Sequence, residues 1–155
     1  MTKIKIDTIL VATDFSENAA IAYPYASTLA KTFDAKILVA HVTEPLVYAV
    51  GPGQIAVGWE ELESNIREQV ETRFATLREQ FDPETDIETV RCEGSPFVEL
   101  VRLARDRSAD LIVIATHGHT GFKHLLIGST AEKVVRKADC PVLTVHPGER
   151  SFALP

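Results

Sequence analysis

Two apolar rhythms alternate along this chain. Unbroken runs such as Thr8-Ile9-Leu10-Val11-Ala12 and Leu111-Ile112-Val113-Ile114-Ala115 end at polar residues. Runs of that length predict strands buried on both faces, as in a parallel sheet. Residues 36–42, with Ile37, Leu38, Val39, Ala40 and Val42, form a second such strand, and Pro141-Val142-Leu143-Thr144-Val145 forms the last. Residues 86–92 alternate Ile87 and Val90 with polar positions and predict a less buried strand. Between the strands the period changes. Ala19, Ala22, Tyr23, Ala26, Leu29, Ala30 and Phe33 recur at helical spacing behind a cap at Ser16 or Asn18. Pro24 either kinks that helix or marks a later start. Leu62, Ile66, Val70, Phe74, Leu77 and Phe81 give a second helix over 60–81 with a solvated charged face. Gly94-Ser95-Pro96 opens a third over 96–107, and Ala131, Val134 and Val135 mark a fourth over 129–138.

Strands and helices thus alternate, which requires right-handed crossovers and a mainly parallel sheet covered on both faces. The predicted fold class is α/β: one domain over 1–155 with an open, Rossmann-like five-stranded sheet of order 3-2-1-4-5. In such a sheet ligands lie outside the carboxyl ends of the strands where the order reverses. Here that is the crevice between the first and fourth strands. The stretch 43–58, with Pro45, Gly51, Pro52, Gly53 and Gly58, reads as a long loop, able to close over the crevice or to join a dimer surface.

Composition narrows the classes. The 155 residues are 45% hydrophobic and 25% charged, with a formal net charge of -6, as in an ordinary globular protein. Without a basic field or an aromatic platform, nucleic acid is not an expected partner. No segment suits a signal peptide or a membrane span, so a cytoplasmic location with no membrane insertion is expected. Cys92 and Cys140 read as reduced, buried thiols rather than a disulfide.

The two strand exits at the crevice carry Ala12-Thr13-Asp14 and Ala115-Thr116-His117-Gly118-His119-Thr120-Gly121, the most polar and glycine-rich in the chain. Glycine-rich backbone presents successive N–H groups to an anion. Gly128-Ser129-Thr130 opens the fourth helix, whose free donors also favour negative charge, so a phosphate is the natural guest. Asp14, Ser129 and Thr130 have a simpler reading as helix caps, and Val42 as plain core. The common Gly-x4-Gly-Lys-Ser/Thr phosphate loop and the Gly-x-Gly-x2-Gly dinucleotide fingerprint are missing from the sequence. His117-x-His119-x4-His124 resembles a metal cluster, but no cysteine or nearby carboxylate completes it; with Lys123 these imidazoles read as phosphate partners or surface residues. No nucleophile sits beside a recognisable oriented base, so fast catalysis is not predicted.

The spacing Ala115-x2-Gly118-x9-Gly128-Ser129 resembles the ATP-binding signature of the universal stress protein family, Gly-x2-Gly-x9-Gly-Ser/Thr, with Ala115 at the first glycine. Residues Ile9 to Ser16, Leu38 to Val42, Gly94-x-Pro96 and Cys140 to Val145 are similar to that family too, so the likeness spans nearly the whole chain. The resemblance implies that Asp14 and the backbone around Ala12, Thr13 and Val42 hold adenine and ribose. It implies that Gly118, His119, Gly128, Ser129 and Thr130 hold the phosphates of ATP, ADP or AMP, with Mg2+ or Mn2+ accompanying them. It further implies a nucleotide-dependent regulator of the stress response; a dedicated ATPase and an interaction module without nucleotide are the alternatives. The last strand, Val142 to Val145, is an expected sheet edge that pairs with a second copy to give a homodimer.

Overall fold

The computed structural model describes residues 4–45, 59–117 and 128–146. Its elements run β1 (Thr8–Ala12), α1 (Glu17–Ala20), α2 (Tyr23–Phe33), β2 (Lys36–Thr43), α3 (Trp59–Arg78), β3 (Ile87–Glu93), α4 (Pro96–Asp106), β4 (Leu111–Ala115), α5 (Ser129–Lys137) and β5 (Val142–Val145). The five strands form one parallel sheet ordered β3-β2-β1-β4-β5, as the alternation of elements predicts. Register follows the apolar runs, with Ile9 opposite Ile37 on one side and Leu111 on the other.

Side chains of successive strand residues point to opposite faces, and each face has its own core. Ile9, Val11, Ile37, Val39 and Val113 pack against Tyr23, Ala26 and Ala30 of α2 and Val70, Phe74 and Leu77 of α3. Leu10, Ala12, Leu38, Ala40, Ile112 and Ile114 pack against Leu100, Leu103 and Ala104 of α4 and Ala131 and Val134 of α5. Both faces of the central strands are therefore covered. At the amino ends of the strands, Asp110 accepts from the N–H groups of Asp7 and Thr8 and ties the starts of β1 and β4 together. The opposite, carboxyl ends are left to diverge.

Most boundaries lie within a residue of expectation, and the first two predicted helices differ by more. The first predicted helix is two: α1 stops at Ala20, and Pro24 lies in the first turn of α2, where its missing N–H has no intrahelical partner to lose. Ser16, not Asn18, caps α1 by accepting from the Ala19 N–H. The long helix α3 ends at Arg78, and Phe81 is buried just beyond it. The two cysteines are free thiols, half-buried, and burial raises both above the usual thiol range. Among the described residues no helix is long and apolar enough to cross a membrane.

Candidate nucleotide-binding cleft

Because β2 continues the sheet on one side of β1 and β4 on the other, the chain leaves these strands in opposite directions and a cleft of about 570 Å³ opens at their carboxyl ends. That volume suits a drug-sized or nucleotide-sized guest. Its walls include Ala12, Ala40, Val42, Leu100, Ile114 and Ala115, and its rim Asp14, Glu44, His117, Ser129 and Thr130. Of the candidate residues, Ala12, Thr13, Asp14, Val42, Ala115, Thr116, His117, Gly128, Ser129 and Thr130 all line this one cleft. Gly118, His119, Gly121, Lys123, His124 and most of the 43–58 loop lie outside the described residues. The residues that sequence reasoning missed include His41, Thr43, Glu44, Pro96 and Leu100, with Ala19, Ala40, Ile114 and Ala131 from the core side.

The turn after β1 is held tightly. The Thr13 N–H donates to the Ala40 carbonyl at 2.9 Å. Its hydroxyl is buried, 2.6 Å from the Tyr23 hydroxyl, and accepts from the Phe15 N–H at 2.9 Å. The Thr13 hydroxyl is therefore engaged within the protein rather than offered to the cleft. Burial raises the Tyr23 phenol above its usual range, against the opposing effect of the Thr13 bond. Asp14 comes next; its Oδ1 accepts from the Ser16 N–H at 2.9 Å and from the Ser16 hydroxyl at 2.5 Å. The carboxylate thus organises the entry to α1 while lining the cleft, so the capping and binding readings are compatible. Phe15 holds φ 61°, a left-handed conformation costing an aromatic residue on the order of 1–3 kcal/mol. Packing of its ring against His41 and Phe74, with the Arg73 guanidinium over it, offsets that strain.

On the other side, Ala115 completes β4 and pairs with Val145. The positive-φ non-glycine residues among those described are Phe15, Asp34 and Ser108, so the position of Ala115 does not require glycine's conformational freedom. A methyl group there joins the cleft wall without backbone strain. The Thr116 hydroxyl is buried, 3.0 Å from Nδ1 of both His117 and His146. Gly128 meets a different demand. Its N–H donates to the Thr116 carbonyl at 2.5 Å, and a Cβ on it would lie 2.8 Å from that oxygen. Glycine is needed here for close approach of two backbones, and its N–H is engaged within the protein rather than offered to an anion.

No side chain caps α5, whose N-cap is Gly128. The first N–H groups of this helix, at Ser129, Thr130 and Ala131, lie at the cleft, where helix geometry leaves such donors without intrahelical partners. The cleft therefore combines a carboxylate acceptor, a set of apolar wall residues and a set of N–H donors and hydroxyls at the start of α5. Those chemistries fit a ribose, a base and a phosphate respectively. Among the described residues no three His, Cys, Asp or Glu side chains come together to hold a metal.

The model of the universal stress protein family matches residues 5–146. Universal stress protein MJ0531 of Methanocaldococcus jannaschii is 33% identical over 138 residues, covering 88% of this chain and 80% of that protein. YxiE of Bacillus subtilis is 30% identical over 144 residues, covering 89% and 97%. The solved structure of MJ0577, also from M. jannaschii, superposes with a TM-score of 0.80 at 26% identity, covering 94% of this chain and 99% of that one. A universal stress protein solved in complex with cAMP has a TM-score of 0.65 at 26% identity, covering 92% and 98%.

Proposed function

The chain belongs to the universal stress protein family, and from that premise we propose that it binds ATP or another adenine nucleotide in the cleft between β1 and β4 and acts as a nucleotide-dependent regulator in the stress response. One observation carries this reading: a carboxylate, an apolar wall and an uncapped helix N-terminus line a single cleft at the point where the sheet reverses order. The relative solved with cAMP supports it.

In this assignment the base lies among Ala40, Val42, Leu100 and Ile114, which remove its apolar faces from water. Asp14 accepts from a ribose hydroxyl. Ser129 and Thr130 donate to phosphate oxygens, helped by the positive end of the α5 dipole. Mg2+ or Mn2+ accompanies the phosphates and spreads their charge. Hydrolysis is slow or absent in this reading, because phosphoryl transfer needs a positioned water and charge stabilisation, and the Asp14 carboxylate lies at the β1 exit rather than at the α5 N-terminus assigned to the phosphates.

Calorimetric titration with ATP and magnesium tests the proposal. Wild type is expected to bind one nucleotide per chain saturably. Asp14→Ala loses a charge-assisted hydrogen bond, about 1.5–3 kcal/mol or roughly 10–100-fold in affinity. Phosphate release should stay near background in both. Absence of binding to wild type would refute the reading and point to an interaction module without nucleotide; sustained turnover would make the protein an ATPase.

A further inference from the structure

Every polar atom of Thr13 is engaged within the protein, its N–H by the Ala40 carbonyl and its own carbonyl by His41. Nδ1 of His41 lies 2.9 Å from that oxygen. A carbonyl can only accept, so Nδ1 carries the proton and the neutral ring keeps Nε2 as an acceptor. The same imidazole packs on Phe15, with ring centroids 4.5 Å apart. His41 therefore touches the residues on both sides of Asp14 in sequence. The alternating strand pattern puts it on the same face as Ile37 and Val39, beneath the β1 turn and not in the opposite core.

We propose that His41 is the positioning residue of the cleft: by donating from Nδ1 to the Thr13 carbonyl and bracing the Phe15 ring, it fixes the turn that presents the Asp14 carboxylate to the ribose. The inference rests on the nucleotide reading of the cleft. The Phe15 backbone is left-handed, so the turn would relax toward ordinary φ if its ring lost support. Relaxation at Phe15 moves Asp14 directly, because the two share a peptide bond. The α5 N-terminus is on the far side of the cleft and hangs from β4, so it is untouched. The consequence is a separable defect: loss of His41 weakens recognition of the nucleoside and spares that of phosphate. Asparagine can place its amide N–H near the position of Nδ1 and should substitute in part, whereas leucine offers no donor.

The test uses the full chain, with adenosine and tripolyphosphate as separate calorimetric probes and NMR of the imidazole nitrogens. At neutral pH His41 should show the Nδ1-protonated tautomer. His41→Leu should bind adenosine about tenfold or more weakly, consistent with loss of one aligned charge-assisted contact, while tripolyphosphate affinity changes less than about twofold. His41→Asn should stay within about threefold of wild type for adenosine. An Nε2-protonated tautomer, unchanged adenosine binding by His41→Leu, or equal loss of both probes would overturn the inference alone. Wild type that binds neither probe would overturn the nucleotide reading and this inference with it.

Discussion

Gly128 and His41 sit on opposite sides of the cleft, and each is held by its neighbours in a way that a single substitution exposes. A methyl on Gly128 would press on the Thr116 carbonyl at 2.8 Å, and backbone cannot rotate away as a side chain can. Gly128→Ala should therefore cost about 1–3 kcal/mol in denaturant unfolding, as overpacking does. A change below about 0.5 kcal/mol would show that the two backbones separate freely. His41 gives a pH signature. Burial first, and then Arg73 of α3 and Arg91 of β3, lower its pKa below 6.5, opposed by the Thr13 carbonyl and by Asp14. The unfolded chain then binds more protons than the folded one below about pH 6.5. Its contribution to stability is complete above 6.5 and is lost as pH falls from there through the lower, folded pKa. Thermal melts of wild type should decline more steeply with acid than those of His41→Asn; parallel declines would contradict this. At this scale the sequence was half legible. Asp14, Val42, Ser129 and Thr130 stood out as polar or apolar residues at strand and helix ends. Thr13 was read for its backbone; that its hydroxyl pairs with Tyr23, on a helix ten residues on, could not be read from spacing. His41 carried a signal that was passed over: a polar residue within an otherwise apolar strand, next to its carboxyl end.

Among the elements, α1 depends most on its cap. It has four residues, too few to be stable without tertiary support, and Ser16 both accepts from Ala19 and donates to Asp14. Ser16→Ala should destabilise the protein by about 1 kcal/mol and loosen the Asp14 turn. A denaturation midpoint equal to that of wild type would mean that packing of Ala19 alone holds the helix. Strands β1 and β4 were the most legible elements because burial on both faces leaves little room for polar residues within them. Pro24 signalled a break but not its kind: a kink and a helix start look alike until the i-4 carbonyl is placed. The end of α3 was overestimated because Phe81 continues the apolar spacing while the backbone has already left the helix.

For the molecule as a whole, the handedness of parallel crossovers leaves few orders open to five alternating strands, which is why 3-2-1-4-5 and the position of the cleft could be read from the pattern of elements. The edge strand β5 leaves one side of its backbone unpaired within the sheet, a surface suited to an identical strand. Light scattering at micromolar concentration should give twice the 17.1 kDa chain mass; a monomer mass would remove the dimer proposal. The central claim is that an adenine nucleotide occupies the β1–β4 cleft. Amide NMR during titration with ATP and magnesium tests it most directly. The account predicts saturable shifts concentrated at Asp14, Val42, Thr43, Ser129 and Thr130, with the amino ends of the strands near Asp7 and Asp110 unmoved. Shifts centred away from the carboxyl ends of β1 and β4, or no saturable shifts at all, would contradict it.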